Sequence, residues 1–254
     1  MVAKQIQKSV VITGGNKGIG LELTKVFLDE GYTVVVGART SNDVERLSAD
    51  KLIFHSMDVR EEISHRKLTE IAIGATGNLD VWINNAGVSA WRPINLIDEN
   101  FFDELMEINL KGAFWGCKAA AAAMNKNGGS IINISSIAGK RGSANNAMYC
   151  ATKFGMNGLT QSLAKELGPK GIRVNALCPV LIKTKGLLDA LKNEYSPAQG
   201  NTELFLKNFL QANSALGNLP TGEDVGHVAL FLASENNRSV TGQCINVDCG
   251  VFPQ

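Results

Sequence analysis

Residues 13–20 read TGGNKGIG and lie between the apolar run Val10-Val11-Ile12 and the stretch LELTKVFLDEG, whose apolar residues recur at helical spacing. Strand, glycine-rich loop and helix follow in that order. Gly14, Gly18 and Gly20 remove side chains where the strand turns into the helix, so backbone N–H groups and the positive end of the helix dipole can face an anion. The spacing is Gly-x-x-x-Gly-x-Gly rather than Gly-x-Gly-x-x-Gly, so the loop alone marks an anion site whose natural guest is a dinucleotide pyrophosphate.

Outward from this loop, β-branched runs recur at SVVITG, YTVVVGA, KLIFHSM, LDVWINNAG, SIINISS, GIRVNALCP and QCINVDCG, each the length of a strand buried on both faces. Helical spacing fills the intervals at 18–30, 41–49, 60–73, 99–126, 148–168 and 223–233. The alternation predicts an α/β fold, a doubly wound Rossmann-type parallel sheet covered by helices on both faces. With no linker, charge block or repeat, residues 1–254 read as a single dinucleotide-binding catalytic domain. Only 185–219 breaks the rhythm: two short amphipathic stretches, interrupted by Pro197 and Gly200, form an insertion expected to act as a substrate lid.

Bulk composition narrows the partners. The chain carries 25 Lys plus Arg against 24 Asp plus Glu, which offers no general attraction to nucleic acid or to an anionic membrane. The apolar stretch near the N-terminus is too short for a signal peptide, and no run is long enough to span a membrane, so a soluble, cytoplasmic protein is expected. The 5 cysteines lack a Cys-x-x-Cys and the 3 histidines are scattered singly, so reduced thiols and no metal site are expected.

In open parallel sheets, ligands bind beyond the carboxyl ends of the strands, and the suggestive residues cluster at those ends. Strand four ends in Asn84-Asn85-Ala86-Gly87, strand five in Ser135-Ser136 and strand six in Cys178-Pro179. Downstream of Ser136 comes Tyr149-Cys-Ala-Thr-Lys153, where the i, i+4 spacing sets phenol and ammonium on one helix face. A Tyr-x-x-x-Lys alone is weak; its convergence with the glycine loop, the Asn-Asn-Ala-Gly end and the serine on one crevice carries the reading.

This constellation resembles the short-chain dehydrogenase/reductase family in its single-domain form, over nearly the whole chain. TGGNKGIG is similar to the family's cofactor loop, NNAG to its central structural motif, Asn109 in MEINLKGAF to its helix asparagine, and Ser136, Tyr149 and Lys153 to its catalytic set. Asp58 in MDV resembles the acid that holds the adenine ring, and PVLIKT at 179–184 the segment over the nicotinamide. In two places the chain departs from the pattern: Val180 replaces the glycine of Pro-Gly, and Cys249 replaces the first glycine of Asp-Gly-Gly.

The resemblance implies an oxidoreductase that moves a hydride between a nicotinamide cofactor and a carbonyl or alcohol, with Asn109, Ser136, Tyr149 and Lys153 as catalytic residues. Tyr149 exchanges the proton of the forming alkoxide, tuned toward neutrality by Lys153 and the oxidised nicotinamide; Ser136 orients the carbonyl oxygen; Asn109 holds a water linking Lys153 to solvent. By the resemblance, the family's spacing to the tyrosine selects Ser136, and Ser135 is expected to face the other side of the strand and pack in the core. The implied cofactor contacts are Gly14, Asn16, Lys17, Gly18, Ile19, Gly20, Arg39, Asp58, Val59, Asn85, Ala86, Gly87, Tyr149, Lys153, Pro179, Ile182 and Thr184.

The second strand ends Val36-Gly37-Ala38-Arg39-Thr40 with no carboxylate before Asp43, where an NAD-binding fold usually places an acid against the adenosine ribose. Arg39 offers a planar fork of donors and Lys17 a point charge to a 2′-phosphate, so NADP(H) is the expected cofactor; the same pairing occurs in the carbonyl reductases that TGGNKGIG resembles most. Two alternatives stand beside this reading: a 3-oxoacyl carrier-protein reductase, with Lys126 and Lys170 as candidate docking cations, and a non-catalytic cofactor-sensing regulator. The substrate is expected to be a small, largely apolar molecule lined by Trp91, Tyr195, Leu204, Phe205 and Phe209. A dimer or tetramer is expected through 99–126 and 148–168, whose sides away from the sheet would carry Phe101, Leu105, Phe114, Trp115, alanines 119–123, Leu159 and Leu163.

Overall fold

The strands form because β-branched residues occupy both faces of each run. In β1 (Ser9–Thr13), Val10 and Ile12 enter one apolar core and Val11 the other, all fully buried. β2 (Thr33–Ala38) repeats the pattern, with Val34 and Val36 on the first side and Val35 on the second. The computed structural model describes residues 7–47, 49–124 and 126–253.

Seven parallel strands run in the order β3-β2-β1-β4-β5-β6-β7. The remaining strands are β3 (Leu52–Ser56), β4 (Val81–Asn84), β5 (Gly129–Ile134), β6 (Ile172–Pro179) and β7 (Cys244–Val247). The order reverses between β1 and β4, and such a switch point opens a crevice at the carboxyl edge of the sheet. α1 (Gly18–Asp29) and α8 (Gly222–Ala233) cover one face, where Leu23, Phe27, Val225 and Leu232 complete the first core. α2 (Glu62–Thr76), α4 (Gly112–Ala123) and α5 (Ala147–Leu167) cover the other. The expected doubly wound Rossmann-type fold is what the chain adopts.

Two expected helices differ. The 41–49 stretch yields only a 3-10 turn at Asn42–Arg46, because Leu47 turns extended after a single Asn- and Asp-rich turn. The 99–126 stretch is not one regular helix: α3 (Glu99–Leu105) passes through a π-helical segment, Met106–Lys111, into α4. Residues 48 and 125 of these stretches lie outside the described residues. The widened turn carries Asn109 into the interior, where its side chain bonds the backbone of Val88.

The insertion supplies α6 (Lys185–Leu191) and α7 (Thr202–Asn213). It is seated on the domain by Trp91, Leu191, Ala198 and Leu206, with Tyr195 and Phe205 packed around them.

Candidate active site

The glycine loop is held open from below. Thr13 Oγ1 accepts from the N–H groups of Asn85 and Ala86 at 3.1 and 3.2 Å, while Asn85 Nδ2 donates to the carbonyls of Thr13 and Gly14 at 3.0 and 3.1 Å. The Asn85 side chain is therefore a clamp between β4 and the loop. Gly14 and Gly18 take φ of +66° and +56°, a region costly for other residues. A Cβ on Gly20 would lie 2.1 Å from the Gly14 carbonyl oxygen. Lys17 is the N-cap of α1 and gives it no side-chain cap, so the first-turn amides keep donors for an anion. This bare cradle fits the pyrophosphate of a dinucleotide.

Asn16 Nδ2 donates to the Thr40 carbonyl at 2.7 Å, tying the loop to the end of β2, and exposed Lys17 and Arg39 stand at this corner. Neither cation forms an ion pair among the described residues. Asp58, expected to face adenine, is gripped by Arg60: Oδ1 accepts from the backbone N–H and Nε at 3.0 Å each, and Oδ2 from Nη2 at 2.5 Å. Those hydrogen bonds hold its carboxyl below the usual range. An adenine amino group would have to share the carboxylate with Arg60. Val59 lies next to it, half-buried.

On the far side of the switch point, β5 leads to Ser136 and α5 opens with Tyr149. Lys153 is 4% exposed and its Nζ donates to the Ile134 carbonyl at 2.8 Å, 5.7 Å from the centre of the Tyr149 ring. Ser136 Oγ accepts from Ala138 N–H at 3.1 Å. Burial pushes the Tyr149 phenol up to about 12, and the neighbouring Ser136 hydroxyl opposes that shift. Desolvation brings Lys153 down to about 8. The expected tuning of the phenol toward neutrality also calls on the oxidised nicotinamide; in the chain by itself burial raises the phenol, and the Lys153 ammonium is bound to a strand carbonyl. Ser135 is buried beneath the site and its hydroxyl donates to the Lys153 carbonyl at 3.4 Å.

Asn109 is anchored through its side chain. Its Oδ1 accepts from Val88 N–H at 2.8 Å, and its Nδ2 donates to the Val88 carbonyl at 2.9 Å and lies 3.3 Å from Thr152 Oγ1. The side chain joins the β4 exit to α5 one residue before Lys153, and Oδ1 keeps a second acceptor site.

Of the remaining expected contacts, Gly87 approaches Asn109, Pro179 ends β6, Ile182 is buried in the first core, and Ile19 packs against it. Thr184 Oγ1 caps α6 by accepting from Leu187 N–H at 3.2 Å, and its methyl lies 3.4 Å from where a Cβ on Gly18 would stand. The insertion therefore begins on the glycine loop itself, and a cavity of about 610 Å³ separates the two, lined by Gly18, Leu21, Ile182, Thr184, Leu210 and Leu219. Val180 keeps a negative φ and packs on Ile137 and Val251, so the missing glycine causes no strain.

The expected apolar substrate lining is largely something else. Trp91, Tyr195 and Phe205 are packed together as the anchor of the insertion, Phe209 sits beside Val180 and Leu219, and Leu204 is 51% exposed. Two residues that matter went unread in the sequence: Thr13, signalled only by its place before the glycine loop, and His65, which had no signal because its partner is a backbone carbonyl.

Glycine loop, switch point and a Ser-Tyr-Lys set meet at one sheet edge, and the short chain dehydrogenase family pattern matches residues 8–194. The chain belongs to the short-chain dehydrogenase family. As such it is an oxidoreductase. It is 33% identical to the 3-oxoacyl-(acyl-carrier-protein) reductase FabG of Chlamydia muridarum, over 97% of this chain and 98% of that one. It is also 33% identical to the L-2,3-butanediol dehydrogenase of Corynebacterium glutamicum, over 97% and 99%. Among solved structures, ElxO with NADP bound matches at a TM-score of 0.86 and 31% identity, covering 98% of this chain and 100% of that one. The actinorhodin polyketide ketoreductase with NADPH matches at 0.88 and 27%, covering 98% and 99%.

Proposed function

We propose that this protein is a cytoplasmic NADP(H)-dependent reductase that interconverts a ketone or aldehyde with its alcohol, with Tyr149 as the general acid and base. The observation that carries the reading is the corner formed by Lys17 and Arg39, unpaired among the described residues and tied together through Asn16, on the same sheet edge as Ser136, Tyr149 and Lys153. The similar structures solved with NADP or NADPH support it.

The nicotinamide, when bound, supplies or takes up the hydride. The chain does the rest. The glycine cradle and the α1 amides take the pyrophosphate, and Lys17 with Arg39 takes the 2′-phosphate. Ser136 donates to the carbonyl oxygen, a contact that strengthens as negative charge develops there. Tyr149, protonated at neutral pH because burial holds its pKa near 12, donates the phenolic proton to that oxygen.

Binding tests the cofactor assignment directly. The wild-type protein should bind NADPH at least about tenfold more tightly than NADH, as one or two partly exposed charge-assisted contacts would provide. The double change Lys17→Ala and Arg39→Asp should weaken NADPH far more than NADH. Equal affinities in the unmutated protein would remove the basis for the assignment.

A second reading, reduction of a 3-oxoacyl group on a carrier protein, is favoured by the likeness to FabG. Lys126 and Lys170 lie in adjoining turns, where Gly129 N–H donates to the Gly171 carbonyl at 3.3 Å. Those turns precede β5 and β6, at the sheet edge opposite Ser136 and about 20 Å away at strand rise. A carrier held there would not sit at the mouth of the same chain's cleft. Equal turnover of a carrier-bound and a short free thioester, unaffected by Lys126→Glu with Lys170→Glu, would favour the small-carbonyl reading.

We also assign self-association to α4, α5 and the π-helical turn. The apolar patch is narrower than expected: Phe101 and Leu105 are buried against Met148, Ala119 is buried, and Ala120 belongs to the second core. What faces outward is a hollow of about 490 Å³ lined by Met106, Leu110, Phe114, Gly155 and Leu159, with Phe114 and Phe154 44% and 47% exposed.

A further inference from the structure

His65 lies in the first turns of α2, fully buried, and nothing in the reaction proposed above uses it. Its Nε2 is 2.8 Å from the Val59 carbonyl oxygen. A carbonyl only accepts, so Nε2 carries the proton, and burial, which pushes the imidazole pKa down, keeps the ring neutral. Nδ1 is then a buried acceptor, and it has no partner among the described residues. The ring packs on Trp82 of β4, centroids 5.9 Å apart. An aliphatic side chain would remove the unpaired ring nitrogen but would strip the Val59 carbonyl of its donor, so the imidazole is kept for that bond rather than for filling the core.

What the imidazole does hold is the turn after β3. Among the described residues no other group donates to the Val59 carbonyl, and Gly112 of α4 closes on the same oxygen, where a Cβ would come within 3.1 Å. The turn leaves the sheet beside the end of β2: Met57 N–H donates to the Ala38 carbonyl at 3.0 Å, and Ser56 Oγ to the Arg39 carbonyl at 3.4 Å. Asp58 is drawn toward Arg60, and the Val59 N–H has no acceptor among the described residues. A free N–H and a shared carboxylate next to the Arg39 corner are the groups that would meet a purine ring.

We propose that His65 is a positioning residue for the adenine end of the cofactor site, fixing through the Val59 carbonyl the backbone turn that presents Asp58 and the Val59 N–H. This rests on the NADP(H) reading given above. It is a role in binding rather than in chemistry, because the turn lies over β3 while Tyr149 and Ser136 lie beyond β4.

The test compares His65→Met with His65→Gln. The two replacements have nearly the same shape, and only glutamine keeps a donor at the end of the side chain. Each protein is titrated calorimetrically with NADPH, with 2′,5′-ADP as the adenosine half and with nicotinamide mononucleotide as the other half, and thermal unfolding is followed alongside. His65→Met should raise Kd for 2′,5′-ADP and NADPH about fivefold, leave Kd for the mononucleotide and kcat at saturating NADPH unchanged, and unfold at a lower temperature than His65→Gln because the Val59 carbonyl loses its donor. His65→Gln should recover most of the lost affinity. Wild-type affinity for 2′,5′-ADP in His65→Met, an equal loss for both halves, or no recovery in His65→Gln would overturn the proposal. If the wild-type protein bound neither NADPH nor 2′,5′-ADP, the cofactor reading itself would have failed, which the same titration separates from a failure confined to His65.

Discussion

At the scale of single residues, the groups proposed to react were legible and their environment was not. Tyr149 and Lys153 stand out because i, i+4 spacing after a strand-end serine is a pattern; their pKa values are set by packing that no pattern encodes. Tyr149→Phe removes the transferable proton and little else, so turnover should vanish while NADPH still binds; more than a tenth of the wild-type rate at saturating substrate would exclude Tyr149 as the acid. Lys153 is ordinarily charged below 10.5 and here below about 8, so its buried charge opposes folding at pH 7 by about 3 kcal/mol at most. Between those two values the Lys153 site binds more protons in the unfolded chain, so this residue's own contribution to stability should rise with pH from about 8 to 10.5, readable as the difference between wild type and Lys153→Met. Lys153→Met should therefore lose activity and cofactor affinity yet unfold at a higher temperature at pH 7, with that advantage shrinking through the same window. Denaturant melts of the two proteins from pH 7 to 10.5 check the sign; a less stable Lys153→Met at pH 7 would mean that the hydrogen bond to Ile134 outweighs the desolvation.

At the scale of elements, alternation of apolar runs revealed the strands because each is buried on both faces, and the glycine loop because its neighbours are a strand and a helix. The π-helical turn was hidden: nothing in MEINLKGAF announces that Asn109 will pair with the backbone of Val88, a contact across 21 positions. The same limit concealed the roles of Trp91 and Phe205, since an apolar side chain reads alike whether it lines a pocket or anchors an insertion. Close approach is where glycines become decisive. Gly20→Ala would drive a methyl into the Gly14 carbonyl, 2.1 Å away, and should cost about 1–3 kcal/mol of stability and more than tenfold in NADPH affinity. A calorimetric titration with unchanged affinity would show that the cradle is not where the cofactor lies. Cys249, at φ +53°, holds the C-terminal turn against Leu216 and Ser214 through its carbonyl. Cys249→Gly should relieve up to about 1 kcal/mol of backbone strain without altering kcat/KM, readable as a rise in Tm.

At the scale of the whole molecule, the single parallel sheet puts everything chemical at one edge. The proposed adenosine contacts lie over β2 and β3, the proposed reacting groups over β5 and β6, and the switch point between β1 and β4 is bridged by Asn85. No helix among the described residues is long and apolar enough to cross a membrane. Phe114 of α4 and Phe154 of α5 face outward, and exposed aromatics of this kind call for a cover. A second copy of the chain is the expected one: light scattering at micromolar concentration should give at least a dimer mass, and Phe114→Glu should reduce it to the monomer. The central claim is hydride transfer with NADP(H) to a carbonyl carbon, and the measurement that tests it most directly is nicotinamide absorbance during turnover of a carbonyl and alcohol panel with NADPH and with NADH. The account predicts reduction of at least one apolar ketone or aldehyde at neutral pH, with kcat/KM about tenfold or more higher for NADPH and no turnover by Tyr149→Phe. Equal kcat/KM for the two cofactors, or no turnover of any member of the panel, would contradict it.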